Sequence, residues 1–327
     1  MYSIKEDITN DGIPYVHVEN IPRLSIFKTF DCGQCFRFEP VSRFGNKCEF
    51  GGVAFGKYVV FGQNSDTEVI IYGSTRADFE SIWAPYLSLD TDYEKIDETI
   101  VSVVGGEHAK LATEYSRGIR ILRQEPWEAI CSFIISQNNN IPRIKKIIAE
   151  ISKKYGDVVE FDGQEYNAFP TAESLFLAGE AEIFALKTGF RAKYIHDAAS
   201  KVYKGEISLD EIDKSTFEEA SEQLSKIKGV GPKVASCALL FGFGKTEAFP
   251  IDVWIRRALD THFGGDIDVL ALGKSAGIFQ QYLFYYERYS SLPLEAIPLR
   301  GEMSQSDKRV AALQGKVAAT QTDEVLT

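Results

Sequence analysis

The hydrophobic and polar positions follow two different periods along this chain. Within residues 1–115, short runs of β-branched and aromatic residues are separated by glycines, which is typical of an antiparallel sheet with tight hairpins. From Arg117 onward, apolar residues recur at helical spacing. The segment 143–155, for example, places four isoleucines on one helix face. We therefore predict an α+β protein with an N-terminal antiparallel sheet domain followed by an all-α domain.

The same change of period predicts the domain boundaries. The sheet domain is expected at residues 1–115 and the helical domain at 116–298. Residues 299–327 are polar and contain no aromatic side chain, a composition that cannot bury a core. We predict that this tail is disordered.

Charge and cysteine content limit the partners and the compartment. A formal net charge of −11 argues against a non-specific nucleic-acid binder, but residues 117–154 hold eight basic and three acidic side chains. The N-terminus lacks an apolar signal region, and no apolar run is long enough to span a membrane. Five scattered cysteines do not suggest a disulfide framework, so an intracellular, reducing compartment is expected. Cys32 and Cys35 form a CxxC pair, which alone favours incidental thiols over zinc.

A glycine-rich hairpin between two predicted helices is the strongest local motif. One helix is predicted over 217–227, and Gly229 can end it in a left-handed conformation. Gly231 and Pro232 open the next helix, where the missing proline amide costs little. The free amides at that helix start attract anions, and two glycines let a phosphate approach closely. An ordinary tight helix hairpin remains the alternative.

Three side chains after the hairpin could carry chemistry. Lys233 lies in the first turn of the second helix, where the helix dipole disfavours a cation and so favours a nucleophilic amine. Cys237 follows four residues later on the same helix face. Asp252 precedes another predicted helix and could face a developing positive charge. A solvated lysine, a small buried hydrophobe and a helix N-cap are the structural alternatives for these three residues.

The segment 224–254 resembles the helix-hairpin-helix glycine/proline/aspartate motif of base-excision DNA glycosylases. Over roughly residues 1–290 the chain resembles the 8-oxoguanine DNA glycosylase/AP lyases. Further segments with the family's pattern occur in the family's order, at residues 32–38, 118–126, 136–143 and 189–194.

The resemblance implies roles for individual residues. Lys233 matches the lysine that attacks the anomeric carbon and forms an imine, and Asp252 matches the aspartate that stabilises the sugar cation. Gly33 matches the glycine whose carbonyl accepts the ring NH that distinguishes 8-oxoguanine from guanine. Cys237 and Phe284 match the residues that sandwich the flipped base. The remaining matches are Gln280 at the pairing edge, Asn138, Arg143 and Arg191 as readers of the orphaned cytosine, Phe190 as the wedge, and Gly229 and Gly231 as the DNA-binding hairpin.

The resemblance also implies partners and a location. The expected partner is duplex DNA containing 8-oxoguanine, bound by a monomer that has no membrane contact, no metal and no organic cofactor. The expected location is the cytoplasm or nucleoid of a bacterium, or the nucleus of a eukaryote.

Two departures from the family pattern concern DNA contacts. Trp254 replaces a histidine that contacts phosphate, and Phe190 replaces a tyrosine, so the strictness for opposite cytosine is open. A monofunctional glycosylase for another damaged base would lack Lys233, and a noncatalytic DNA-binding protein would not depend on Lys233 or Asp252. An iron–sulfur glycosylase would need cysteines after Cys237, and none follows.

Overall fold

A six-stranded antiparallel sheet forms the N-terminal part of the molecule. The structure, a computed structural model, describes residues 2–289. The strands pair in the order β1-β2-β6-β5-β4-β3, and a separate β7–β8 hairpin lies within the helical part. The strands are β1 (Ser3–Ile8), β2 (Pro14–Glu19), β3 (Phe38–Pro40), β4 (Cys48–Ala54), β5 (Lys57–Gln63), β6 (Glu68–Tyr72), β7 (Val158–Phe161) and β8 (Gln164–Asn167).

Alternating apolar side chains on this sheet build the first core. Val16 and Val18 of β2 are fully buried and lie opposite Ile71 and Val69 of β6. Because side chains alternate along a strand, this register puts these four residues on one face of the sheet. Aromatic rings fill the layer below, where Phe30 lies within 5.5 Å of the rings of its phenylalanine neighbours Phe38, Phe50 and Phe61.

Fifteen α-helices are described, most of them in the second part. They are α1 (Ile26–Phe30), α2 (Arg76–Asp78), α3 (Ala84–Tyr86), α4 (Tyr93–Val104), α5 (Gly106–Ser116), α6 (Pro126–Ser136), α7 (Ile141–Tyr155), α8 (Ala172–Ile183), α9 (Ala192–Tyr203), α10 (Leu209–Lys214), α11 (Phe217–Ser225), α12 (Pro232–Gly242), α13 (Val253–His262), α14 (Val269–Leu272) and α15 (Ala276–Tyr289).

The two parts are interlocked rather than joined by a free linker. Cys32 and Phe36, from the sheet half of the sequence, are buried in the helical core, whereas Leu122 is buried in the sheet core. Helix α4 lies before the predicted boundary and α5 (Gly106–Ser116) runs across it, yet both contribute to the helical core. The boundary at residues 115/116 therefore stays a sequence prediction, and the α+β class with a sheet followed by helices is confirmed.

Two further predictions concern the C-terminal tail and membrane spans. The tail at 299–327 lies outside the described residues. Among residues 2–289, no helix is long and apolar enough to cross a membrane.

Candidate active site

The glycine hairpin joins α11 to α12 as the sequence predicts. Gly229 has φ +75°, a conformation that side chains rarely adopt, and a Cβ atom there would lie 2.4 Å from the Tyr194 ring. Gly231 is the N-cap of α12, and no atom of the described residues lies within 4 Å of its Cβ position. The first glycine is therefore required by packing, and the second keeps the start of α12 open.

Lys233 in the first turn of α12 and Asp252 at the N-cap of α13 both lie near Cys237 in the middle of α12. Burial raises the pKa of the Cys237 thiol to about 12, while the charge of Lys233 lowers it and that of Asp252 raises it. Both charged groups therefore lie close enough to act on one buried sulfur atom. Lys233 itself is exposed on the first turn of its helix.

Asp252 caps α13 and keeps one carboxylate oxygen for another partner. Its Oδ1 accepts hydrogen bonds from the amides of Trp254 and Ile255, each at 2.9 Å. Among the hydrogen bonds of residues 2–289, its Oδ2 accepts none. The N-cap role and a role opposite a positive charge are therefore compatible in this side chain.

The loop between α1 and β3 is clamped on both sides of Gly33. The carbonyl of Cys32 accepts a 2.8 Å hydrogen bond from Gln281, and the carbonyl of Gln34 accepts one of 2.7 Å from Gln124. The Gly33 carbonyl between them accepts no hydrogen bond from the rest of the described chain. Gly33 itself has φ +77°. The loop thus holds a free backbone acceptor in a fixed position.

One face of α15 adjoins this loop. Gln280, Phe284 and Arg288 recur every four residues and so share that face. A Cβ atom on Gly33 would lie 3.3 Å from Phe284 Cε1 and 3.6 Å from Arg288 Nη1. Gln280 Oε1 and Arg288 Nη1 are buried without a partner among the described residues, which marks them as groups available to a ligand. Arg288 was not among the site residues predicted from the sequence, although its spacing from Phe284 could have identified it.

A second group of predicted residues surrounds the loop between α6 and α7. Arg191 is 2% exposed, and its guanidinium donates to the carbonyls of Gln137, Asn138 and Thr188. Burial lowers the pKa of Arg191, and the nearby charge of Arg143 lowers it further. Asn138 has φ +46°, which asparagine tolerates, and its side chain is exposed, as is that of Arg143.

These contacts give Arg191 a positioning role in the structure as it stands. The guanidinium of Arg191 holds the loop that carries Asn138. Asn140 is the N-cap of α7, and its side-chain oxygen accepts a 3.0 Å hydrogen bond from the amide of Arg143. That Arg191 reads an orphaned base stays a prediction. The start of α7, which follows this loop, also adjoins the loop that carries Gly33, because Ile141 Cδ1 lies 3.3 Å from the position of a Cβ atom built on Gly33.

Phe190 lies between the loop and the hairpin. Its ring is 47% exposed, packs edge-on against Tyr194 at 5.9 Å, and lies below the Arg191 guanidinium at 4.4 Å. Tyr194 in turn covers Gly229. Tyr194, which was predicted only as the end of the matching segment 189–194, thus connects the exposed ring to the hairpin. An exposed aromatic side chain held in this way can enter a base stack with little loss of conformational entropy.

A cation lies beside Trp254, the residue that replaces the family's histidine. The exposed Arg257 guanidinium is 5.5 Å from the indole centroid, one turn further along α13. A positive charge from Arg257 therefore lies next to Trp254.

Comparisons with known proteins show the family to which the chain belongs. The family model for the 8-oxoguanine DNA glycosylase N-terminal domain matches residues 18–130, and the model for HhH-GPD superfamily base excision DNA repair proteins matches residues 131–268. The N-glycosylase/DNA lyase of Saccharomyces cerevisiae is 30% identical over 259 residues, which cover 73% of this chain and 68% of that protein.

Solved structures are similar over nearly their whole length. MBOgg1, in complex with a low-affinity DNA ligand, is 36% identical with a TM-score of 0.82 and covers 89% of this chain and 100% of its own. The Clostridium acetobutylicum 8-oxoguanine glycosylase/lyase, bound to duplex DNA with cytosine opposite 8-oxoguanine, is 36% identical with a TM-score of 0.78, over 89% of this chain and 99% of its own. The chain therefore belongs to the 8-oxoguanine DNA glycosylase family, within the HhH-GPD superfamily of base excision repair proteins.

Proposed function

We propose that this protein excises 8-oxoguanine from duplex DNA opposite cytosine and then nicks the abasic strand. The observation that carries the proposal is that Lys233 and Asp252 both lie near enough to the buried Cys237 to act on its pKa, next to the glycine hairpin. An amine nucleophile, a carboxylate and a base-stacking surface are the groups that a bifunctional glycosylase needs.

The chemistry follows from these groups. Lys233 Nζ attacks the anomeric carbon, and the glycosidic bond breaks with its electron pair leaving on the base. Asp252, with Oδ2 free, stabilises the positive charge that develops on the sugar. Loss of a proton from nitrogen and opening of the sugar yield an imine. Removal of a proton from the adjacent carbon then expels the 3′ phosphate.

The free Gly33 carbonyl supports selection of the oxidised base. 8-Oxoguanine carries a ring NH where guanine carries a lone pair. A carbonyl can only accept, so guanine would displace water from the Gly33 carbonyl and leave it unpaired, at a cost of roughly 1–3 kcal/mol. Gln280 adds a buried side-chain amide on the same side of α15 as Phe284.

Asn138 and Arg143 are the proposed contacts to the opposite cytosine. Both side chains are exposed, and the Arg191 guanidinium fixes their loop. Phe190 would fill the space left by the extruded base, which offsets part of the few kcal/mol that extrusion costs. Exposed lysines at positions 187, 193 and 228 give this side of an otherwise acidic protein a local positive charge.

Borohydride trapping tests the proposal directly. Wild type, Lys233→Gln and Lys214→Gln are incubated with duplex DNA carrying 8-oxoguanine opposite cytosine. Lys214 is a matched exposed lysine at the end of α10. We expect a covalent adduct with wild type and Lys214→Gln and none with Lys233→Gln. Base release without an adduct would instead indicate a monofunctional glycosylase, and binding without release would indicate a noncatalytic protein.

A further inference from the structure

A histidine pair stacks between three helices away from the site described above. His108 of α5 and His262 of α13 have ring centroids 3.5 Å apart and planes 10° apart. Glu287 of α15 places Oε1 3.0 Å from His108 Nε2 and 3.9 Å from His262 Nε2. The three ligand atoms all lie within 4.8 Å of one another. Two imidazoles and one carboxylate thus converge from three separate elements.

We infer that His108, His262 and Glu287 form a binding site for a divalent transition-metal ion, with Zn²⁺ as the preferred ion. Zn²⁺ binds histidine nitrogen and carboxylate oxygen at about 2.0–2.2 Å, so neighbouring ligands in a tetrahedral site are roughly 3.3 Å apart. The observed separations of 3.0 and 3.9 Å lie on either side of that value. Imidazole favours zinc, copper and nickel, whereas calcium and magnesium favour oxygen ligands.

The two histidine rings differ in how far each can turn to face an ion. A metal lies in the plane of each imidazole that binds it, so one ring must leave the parallel stack. His262 can do so because its side chain is 34% exposed, whereas His108 is held against Phe263 and Tyr286.

An open cleft gives the ion access to the cluster. The cleft has a volume of about 290 Å³ and is lined by both histidines together with Glu107, Asp266 and Asp268. These three acidic side chains are exposed, so the cleft attracts cations. It also leaves room for water at the remaining coordination position.

The ion would have a structural role. His262 is the last residue of α13, and Asp252 caps its first turn, which separates them by about 15 Å along the helix. A metal at His262 is therefore too far away to take part at the glycosidic bond. It would instead cross-link α5 to the two helices that carry Asp252 and Phe284.

Zinc titration of the metal-stripped full chain tests this inference independently of the glycosylase proposal. Isothermal titration calorimetry should give one Zn²⁺ per chain, and zinc should raise the thermal midpoint by a few degrees. His262→Ala should weaken binding at least tenfold and remove the thermal shift. The control is His17→Ala, because His17 lies in a separate cluster with Glu19 and Glu68.

Three results would overturn the inference. They are the absence of saturable Zn²⁺ binding by wild type, unchanged Zn²⁺ binding by His262→Ala, and loss of Zn²⁺ binding in His17→Ala. A melt without zinc verifies that His262→Ala folds. Glu287→Gln provides a second variant that keeps the side-chain size while removing the ligand charge, and it should weaken binding as well.

Discussion

Replacing Gly229 by alanine should destabilise the hairpin far more than the same replacement at Gly231. At Gly229 the new methyl group would lie 2.4 Å from Tyr194 Cδ2, and the residue would have to keep φ +75°. The left-handed backbone costs about 1–2 kcal/mol, and forcing the ring aside costs about 1–3 kcal/mol more. Tyr194 cannot move freely because it packs against Phe190. The expected loss is therefore about 2–5 kcal/mol.

At Gly231 the same methyl group meets no atom of the described residues within 4 Å, and the backbone is extended. Alanine is a poorer N-cap than glycine, so the expected loss of stability is below about 1 kcal/mol. The methyl group would, however, occupy the space through which a phosphate reaches the amides of α12. We expect affinity for DNA to fall by roughly tenfold, equivalent to about 1.4 kcal/mol.

Urea unfolding followed by circular dichroism measures the stability of both variants, and fluorescence anisotropy at one fixed salt concentration measures their affinity for an abasic-analogue duplex. The reasoning on packing is refuted if Gly229→Ala unfolds at the wild-type urea concentration. The reasoning on phosphate binding is refuted if Gly231→Ala binds DNA as tightly as wild type.

Three further predictions concern other parts of the molecule. Asp252→Asn keeps an oxygen for the cap of α13, so the thermal midpoint should change little. The rate of single-turnover excision should fall by roughly 10²–10³-fold. A large fall in the thermal midpoint would instead indicate that Asp252 has a purely structural role. Arg191→Met removes charged hydrogen bonds to the loop carbonyls and should cost about 2–3 kcal/mol in urea unfolding, which an unchanged midpoint would contradict. Burial raises the pKa of Glu128 to about 7 from 4.5, with Arg37 acting in the opposite direction. The folded state therefore holds this proton more tightly, and the free energy of unfolding should fall by up to about 3 kcal/mol as pH rises from about 4.5 to 7. Urea titrations at pH 5 and 8 should show most of this difference in wild type and little of it in Glu128→Gln.

Local patterns in the sequence determined the elements around the site. The order glycine, valine, glycine, proline predicts the hairpin and the start of α12, and Asp252 before an amphipathic segment predicts the cap of α13. Short runs of β-branched and aromatic residues predict strands β2, β5 and β6, because strand propensity depends on the local sequence alone. The helices between Thr75 and Ser116 were not predicted, because short apolar runs there resemble the strands that precede them.

Only the tertiary structure decided which distant residues meet. The contact of Gly33 with Phe284, the clamp of Gln281 on the Cys32 carbonyl and the cover of Tyr194 over Gly229 each join residues far apart in the chain. Such contacts depend on how helices and sheet pack as layers, and no local period encodes that packing. For the same reason the cluster of His108, His262 and Glu287 has no sequence motif: its three ligands come from three helices whose ends are brought together only by folding.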